Sequence, residues 1–414
     1  MAVIGVVCEY NPFHRGHLLH LQRCREALGE KSTVLCVMSG DFVQRGEAAL
    51  YDKFARAEAA CRCGADLVIE LPLPWCLSSA EGFARGAVSL LASLGATQLG
   101  FGSESGKIEP LRELAHALRD PCLTEEIKAL LAEDPSLSFA AAREKAAQAM
   151  LGDAATLLRR PNDILAVEYL KAAEELAPDL ELLPVLRVGA GHDLAREGEG
   201  PCSASELRAR IRAGESVAGE IPEEAVEVYK REREAGRELK DTEALETALM
   251  SRLRMLEREE FRALSDAGEG LGDRLWRAVQ EENGLEEILT AAKSKRYALA
   301  RLRRMVLCAA LGLRGGERRE LPSYARVLAF DGQGRELLRG LGETCPVPVV
   351  TKPAQVRKLS PRCGQIFALG ARAHDFYVLG LPGRDQRGPG EDWRRGPWIL
   401  PDVPSEQGVH GEGK

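Results

Sequence analysis

The feature that most constrains the fold of this chain is a strand, a turn and a helix within its first 28 residues. Residues 1–7 form a short apolar run typical of a buried β-strand, and a turn at Asn11 and Pro12 follows it. The sequence His14-Arg15-Gly16-His17 then opens a helical pattern with leucines on one face. A strand, turn and helix in this order predict one β-α unit of an α/β domain, with functional groups where the strand ends.

The H-x-G-H residues of this unit are suited to binding a phosphate. Gly16 lets the backbone approach an anion closely, and the first helical N–H groups and the positive end of the helix dipole face it. His14 and His17 can both reach that anion and stabilise charge that develops on phosphorus in a transition state. The alternative is a pair of surface histidines at a helix cap. The position after a strand of an α/β domain favours ATP chemistry.

Apolar runs typical of buried strands alternate with helical patterns as far as about residue 215. The sequence predicts strands at residues 33–39, 65–71, 97–101 and 182–188 and helices at residues 52–63 and 79–94. Strands that are apolar on both faces, in this rhythm, predict a doubly wound parallel sheet with its ligand at the carboxyl ends of the strands. Polar or glycine residues stand at those ends, at 9–11, 39–41, 70–72 and 102–104.

The rest of the chain suggests three further parts after a catalytic domain at residues 1–215. Within that domain, residues 122–175 are expected to be mainly helical, with Asp163 capping one of the helices. Residues 220–320 predict a helical domain, and residues 323–382 predict a small α/β unit. Residues 383–414 are rich in Gly, Pro and charged residues, which predicts a disordered tail.

Composition excludes several classes of protein. The chain has 414 residues, enough for two or three domains, and no window approaches eighteen uninterrupted apolar residues. We therefore expect no membrane contact, and the absence of a signal-like segment predicts a cytoplasmic location. The eleven cysteines are mostly scattered singly, and Cys61 and Cys63 are too closely spaced for a zinc site. Reduced thiols and no protein-bound metal centre are expected.

A second candidate anion site lies in the run Ser203-Ala-Ser205-Glu-Leu-Arg208. At the start of a helix this run places hydroxyls, N–H groups and a guanidinium together. The alternative is an ordinary serine cap with a solvated arginine one turn later. The presence of H-x-G-H in the same α/β domain favours the anion site.

Residues 291–320 form a basic island in an acidic protein. They contain nine Lys or Arg and two Glu, a net charge of +7, whereas the whole chain carries −7. Such an island is typical of a polyanion-binding surface, although a solvated helix face is the alternative. Tyr297 adds a ring that could stack on a base. The predicted RNA contacts are Lys293, Lys295, Arg296, Arg301, Arg303 and Arg304.

These motifs together resemble the bacterial tRNA(Met) cytidine acetate ligase family of the nucleotidylyltransferase superfamily. The resemblance rests on residues 9–17, 37–46, 64–72, 101–104, 161–165, 203–208, 293–304 and 326–379, and spans about 380 residues. Members of that family activate acetate as acetyl-adenylate with ATP and transfer the acetyl group to N4 of the wobble cytidine of elongator tRNA(Met). The resemblance implies a Rossmann-like, HUP-type domain and an ATP-dependent ligase.

The resemblance also implies roles for individual residues. His14 and His17 would be catalytic and hold the phosphates, with Ser203, Ser205 and Arg208 near the nucleotide. The implied ATP-binding residues are Val7, Cys8, Glu9, Tyr10, Asn11, Pro12, Phe13, His14, Arg15, Gly16, His17, Leu18, Leu19, His20, Gly102, Asn162 and Arg187. The chain departs from the family pattern at Asp163 and Asp41, where asparagine is usual, and at Leu165-Ala166, where the family tends to have a glycine.

Magnesium is expected to bridge phosphate oxygens of ATP during adenylate formation. Glu9, Asp41 or Glu104 could orient that ion or accept a proton, and the sequence does not choose between them. Two other functions stay open: a small-molecule adenylyltransferase, for which RNA would be irrelevant, and a non-catalytic RNA-binding protein. Acetate and the identity of the tRNA come from the resemblance alone, and the number of subunits is not predicted.

Overall fold

An eight-stranded sheet forms the centre of the structure, a computed structural model that describes residues 2–29, 31–134, 136–187, 202–318, 320–342 and 345–401. The strands of this sheet are β1 (Val3–Cys8), β2 (Thr33–Ser39), β5 (Leu67–Leu71), β6 (Gln98–Ser103), β7 (Glu181–Leu186), β8 (Ala325–Phe330), β9 (Val349–Val350) and β10 (Trp398–Ile399). A separate antiparallel hairpin consists of β3 (Phe42–Val43) and β4 (Glu47–Ala48).

Five strands form the doubly wound part of the sheet, in the order β5-β2-β1-β6-β7, and all of them run parallel. This arrangement confirms the predicted parallel sheet. Strand β8 pairs antiparallel with β5, with Leu67 opposite Phe330, and β9 and β10 pair with β8. The carboxyl ends of the five parallel strands therefore share one edge of the sheet.

Seventeen α-helices surround the sheet within the described ranges. They are α1 (Arg15–Leu28), α2 (Lys53–Arg62), α3 (Leu73–Cys76), α4 (Ala80–Ser93), α5 (Ile108–Ala117), α6 (Pro121–Glu133), α7 (Phe139–Leu151), α8 (Pro161–Leu176), α9 (Ala204–Ala213), α10 (Glu223–Glu234), α11 (Glu243–Arg254), α12 (Arg258–Arg262), α13 (Leu271–Glu281), α14 (Leu285–Ala292), α15 (Leu299–Leu311), α16 (Gly332–Leu341) and α17 (Pro361–Tyr377). None of these helices combines the length and apolarity required to span a bilayer.

The sheet is buried on both faces, as its uninterrupted apolar strands require. Along β2, Leu35 and Val37 pack into one core cluster, whereas Cys36 and Met38 pack into a second cluster on the opposite face. Successive side chains of a strand point to opposite faces, so helices must cover both sides. Several of the helices begin at residues whose side chains can cap them. At the start of α2, for example, the Asp52 side chain accepts a hydrogen bond from the N–H of Ala55.

The C-terminal part differs from the sequence prediction in two respects. The predicted α/β unit at residues 323–382 does not have a sheet of its own, because its strand β8 adds to the edge of the central sheet beside β5. Residues 383–401 are not disordered, since Asp392 is fully buried and the Trp393 ring lies 4.6 Å from that of Phe367. Residues 402–414 lie outside the described residues. The other predicted domain boundaries, between residues 215 and 220 and between 320 and 323, stay predictions.

Candidate functional site

The turn between β1 and α1 holds both histidines of the H-x-G-H motif against the first turn of the helix. His14 caps α1, and its Nδ1 accepts from the N–H of Gly16 at 3.0 Å. The Nδ1 of His17 accepts in turn from the N–H of His14 at 3.3 Å. Because Nδ1 accepts in both rings, each neutral imidazole carries its proton on Nε2. The two Nε2–H groups are therefore donors that the helix cap does not use.

The surroundings of these two histidines keep them uncharged. Their ring centroids lie 3.8 Å apart, and the His17 ring also contacts the buried rings of Tyr10 and Phe13. Burial lowers the pKa of His14 to about 4, and the charge of Arg187 acts in the same direction. Burial, His14 and Arg187 lower the pKa of His17 well below its ordinary value. Both imidazoles are neutral donors at pH near 7.

Arg187 and Gly102 lie at the same edge of the sheet as the histidines. Strand β6 lies between β1 and β7, and Gly102 stands opposite Val185. A Cβ on Gly102 would lie 3.3 Å from the Arg187 side chain, so glycine leaves room for the guanidinium. Arg187 also helps burial lower the pKa of His20 to about 4. The structure thus brings one exposed cation to the end of the helix that carries the three histidines.

The loop after β6 and the start of α8 hold each other by reciprocal hydrogen bonds. Glu104 Oε1 accepts from Asn162 Nδ2 at 2.5 Å, and its Oε2 accepts from the N–H of Asp163 at 2.9 Å. Asp163 Oδ1 accepts from the N–H of Glu104 at 3.0 Å and from the Ser103 hydroxyl at 2.5 Å. Asp163 therefore does not cap α8, contrary to the prediction. Glu104 caps that helix, and the fully buried Asp163 fixes the loop after β6 instead.

Helix α9 brings the second candidate anion site to the H-x-G-H turn. Arg208 Nη1 donates to the carbonyl oxygen of Asn11 at 2.8 Å, and its Nη2 donates to the Ser205 hydroxyl at 3.3 Å. Ser203 caps α9 by accepting from the N–H of Glu206 at 3.2 Å. Asn11 Nδ2 is buried and donates to no acceptor among the described residues. The turn therefore offers a further donor.

Of the three candidate carboxylates, two are already engaged with protein groups. Asp41 lies 2.9 Å from His374 Nδ1, and Glu104 caps α8 as described above. Glu9 accepts one hydrogen bond at Oε1, 2.8 Å from the N–H of Gln44, and burial raises its pKa against the charges of nearby arginines. No cluster of three or more potential metal-binding side chains occurs in the described part of the chain.

Residues 293–304 form the basic segment of the region predicted to be helical, but the first half of this segment is not a helix. Helix α14 ends at Ala292 and α15 begins only at Leu299, so Lys293, Lys295 and Arg296 lie on the connection between them. Lys293 and Lys295 are exposed, whereas Arg296 pairs with Glu269 at 2.8 Å. Lys295, Arg296 and Tyr297 line a cleft of about 340 Å³. This connection presents free positive charge.

The second half of the basic segment makes contacts within the protein. Arg301 donates to the carbonyl oxygen of Asp266 at 2.8 Å, and Arg303 pairs with Glu47 at 2.8 Å. Arg304 is buried, and its Nη1 lies 3.5 Å from the carbonyl oxygen of Gln44. These three arginines hold α15 to its neighbours, and carboxylates face two of them, Glu47 at Arg303 and Asp266 at Arg304.

Sequence reasoning missed two residues that organise the site. Arg56 is fully buried and donates to the carbonyl oxygens of Tyr51, Glu9 and Gly40, which ties the ends of β1 and β2 to α2. Glu47 bridges Arg208 and Arg303. Neither residue belongs to a recognisable motif. A charged residue on a helix or in a hairpin ordinarily indicates a solvated surface, so nothing in the sequence marks these two as part of the site.

The chain is similar to known proteins over most of its length. A family profile described as "HIGH Nucleotidyl Transferase" matches residues 1–390. The chain is 36% identical to a tRNA(Met) cytidine acetate ligase of Syntrophotalea carbinolica, covering 92% of this chain and 95% of that protein. It is 35% identical to the protein of the same name from a Thermoanaerobacter species, with the same shares covered.

Two solved structures are also similar to this chain over nearly its whole length. The crystal structure of Thermotoga maritima TmcAL bound with alpha-thio ATP has a TM-score of 0.89 and 32% sequence identity. The apo form of that protein has a TM-score of 0.90 and 33% identity. In both comparisons the match covers 97% of this chain and 100% of the other.

Proposed function

Because the chain belongs to the tRNA(Met) cytidine acetate ligase family, we propose that it activates acetate with ATP and acetylates N4 of the wobble cytidine of elongator tRNA(Met). The observation that carries this proposal is the pair of neutral imidazoles, His14 and His17, with unused Nε2–H donors at the start of α1. Hydrogen-bond donors that are fixed before the reaction stabilise charge without reorganisation when it develops.

The first step joins acetate to AMP. An acetate oxygen attacks the α-phosphorus, the bond to the pyrophosphate oxygen breaks, and acetyl-adenylate and pyrophosphate result. His14 and His17 donate to phosphate oxygens, while Arg187 supplies a full positive charge at the same edge of the sheet. The buried amide of Asn11 supplies a further donor. Positioning and charge stabilisation therefore supply most of the catalysis.

The second step transfers the acetyl group to RNA. The exocyclic N4 amine of cytidine attacks the acetyl carbonyl carbon, the bond to the phosphate oxygen breaks, and the amine loses a proton as AMP leaves. The exposed Lys293 and Lys295 would contact RNA phosphates, because no carboxylate pairs with either of them within the described residues. The remaining ATP-binding and phosphate-binding assignments made from the sequence stay predictions.

The residues of the site fit a magnesium ion that ATP brings with it. Magnesium keeps several waters and takes one or two carboxylates together with substrate phosphates. Glu9 is the carboxylate that would hold it, because Asp41 and Glu104 are engaged elsewhere. When bound, the ion would neutralise charge on the phosphate oxygens. A cytoplasmic location stays a prediction from the sequence.

The test is transfer of radiolabelled acetate to unmodified elongator tRNA(Met) with ATP and magnesium and without coenzyme A. We expect label on the RNA, and we expect His17→Ala to reduce the rate by about 10²–10³-fold, the usual cost of losing one such donor. His116→Ala, at an exposed site on α5, is the matched control. Pyrophosphate exchange with another small substrate, and no label on RNA, would indicate a small-molecule adenylyltransferase instead.

A further inference from the structure

The β3–β4 hairpin lies between the H-x-G-H turn and helix α15, which carries Arg303. On one side, the N–H of Gln44 donates to Glu9 Oε1 at 2.8 Å. On the other side, Gly46 has a φ of 78°, and a Cβ there would lie 2.5 Å from the backbone nitrogen of Arg304. Only glycine permits that backbone conformation and that approach together. The hairpin is therefore a rigid contact between the two regions.

Glu47, on strand β4 of this hairpin, forms ion pairs with two arginines. Its Oε1 lies 2.8 Å from Arg303 Nη1, and its Oε2 lies 3.4 Å from Arg208 Nη2. Arg208 donates through its other nitrogen to the carbonyl oxygen of Asn11. Contacts thus run without interruption from α15 through a single carboxylate to the turn that carries the catalytic histidines.

The solvent exposure of Arg303, Glu47 and Arg208 indicates which of these side chains a ligand from solution can reach. Arg303 is 29% exposed and Glu47 is 28% exposed, whereas Arg208 is 12% exposed. An RNA phosphate can therefore approach Arg303, but it cannot readily approach Arg208. The cleft beside Glu47 and Arg303, of about 180 Å³, also includes Arg212.

We propose that Glu47 is a positioning residue that couples RNA binding on α15 to ATP binding at the H-x-G-H turn. This inference rests on the proposed function, because it requires an RNA substrate. When an RNA phosphate pairs with Arg303, Glu47 is left to Arg208 alone and holds it more firmly on the Asn11 carbonyl. By linkage, ATP and tRNA then each tighten the binding of the other by the same factor.

Glu286 provides a matched control for this proposal. It lies 3.5 Å from Arg303 Nη2, and its side chain is 72% exposed. Glu286→Gln and Glu47→Gln each remove one negative charge beside Arg303. Only Glu47 also has an ion pair with Arg208 in the described part of the chain. A difference between the two variants therefore reports the contact with Arg208.

The experiment measures the dissociation constant of an unmodified elongator tRNA(Met) transcript with and without a non-hydrolysable ATP analogue. We expect the analogue to tighten tRNA binding to the wild-type protein about fivefold or more, within the usual range for coupled sites. Glu47→Gln brings that factor close to one, whereas Glu286→Gln keeps it. Arg303→Gln, which also loses the factor, gives a second result if Glu47→Gln does not fold.

Three results would overturn the inference. They are a wild-type protein that acetylates tRNA but shows no coupling, a Glu47→Gln variant that retains the full factor, and equal losses in Glu47→Gln and Glu286→Gln. The first of these leaves the proposed function intact. A wild-type protein that neither binds nor acetylates tRNA overturns the proposed function and this inference together.

Discussion

Two sets of strand ends at the same edge of the sheet hold similar polar residues, but in one set these residues are open to a ligand and in the other they pair with one another. At the ends of β1, β6 and β7, His14 and His17 have unused donors, and Arg187 is exposed. At the ends of β2 and β5, by contrast, Asp41 and Glu70 lie within 4 Å of the Lys53 ammonium group. Lys53 Nζ lies 2.9 Å from Glu70 and 2.6 Å from Asp392.

The second set forms a buried ionic cluster of Asp41, Lys53, Glu70, Arg326, His374 and Asp392, all less than 9% exposed. Burial acts to raise the pKa of Asp41, but His374 and Lys53 hold it well below its ordinary value. Burial also acts to lower the pKa of His374, and Asp41 raises it well above its ordinary value. Charges that neutralise one another are already engaged within the protein, whereas unused donors and a free cation can bind a ligand.

The largest effect that tests this contrast is expected from Lys53→Met. The substitution leaves Asp41, Glu70 and Asp392 buried with less positive charge, and breaking a buried pair in this way costs about 3–5 kcal/mol. Denaturation by urea, followed by circular dichroism, measures the free energy of unfolding. Lys128→Met, at an exposed site, is the control and should change it by about 0.5 kcal/mol or less.

If Lys53→Met instead kept its stability, the buried carboxylates would not depend on Lys53, and the contrast between the two sets of strand ends would lose its physical basis. The folded fraction of this variant should also retain ATP binding, because Lys53 contacts the carboxylates of the cluster and not His14 or His17. A selective loss of ATP binding would place the cluster in the site.

The sequence was sufficient where the signal is local. Strand β2 was predicted to the residue, since a both-face-buried strand leaves an unbroken apolar run in the sequence. The H-x-G-H turn was predicted because its chemistry lies within four consecutive residues. His14 precedes α1 and His17 lies in its first turn, so their contact requires no information from elsewhere in the chain.

The sequence was insufficient where partners are distant along the chain. Lys53 stands on a short helix with many charges, and a charged helix position ordinarily indicates solvent. Its burial depends on Asp392, 339 residues later, in a segment whose composition predicted disorder. Strand β8 likewise has no local signal for antiparallel pairing with β5. For the same reason the Glu47 bridge between Arg208 and Arg303 could not be anticipated.

A smaller effect is expected on the protonation of the open site. His14 has a pKa of about 4 and is neutral in the free protein. Bound phosphates raise that pKa, and a group whose pKa rises on binding takes up protons between the two values. ATP affinity should therefore increase as the pH falls towards about 4, the pKa of His14 in the free protein. Calorimetry in buffers of different protonation enthalpy measures the uptake.

The matched variants for this measurement are His14→Gln and His116→Gln. The first removes an imidazole of the site and should reduce the proton uptake, whereas the second removes an exposed histidine and should not. Titration of ATP itself is the same with all three proteins, so differences between them belong to the side chains. Equal uptake in all three would show that the site histidines stay neutral when ATP binds.

The smallest effect extends the contrast between free and neutralised charge to the basic segment. Lys295 is exposed, so Lys295→Ala should weaken tRNA binding a few-fold and reduce the slope of log affinity against log salt by about 0.7 to 0.9. Arg304 is buried against the carbonyl oxygen of Gln44, so Arg304→Ala should lower the melting temperature and leave that slope unchanged. Filter binding over a range of salt concentrations measures the slope. A reduced slope for Arg304→Ala, with none for Lys295→Ala, would mean that α15 moves to release its arginines when RNA binds.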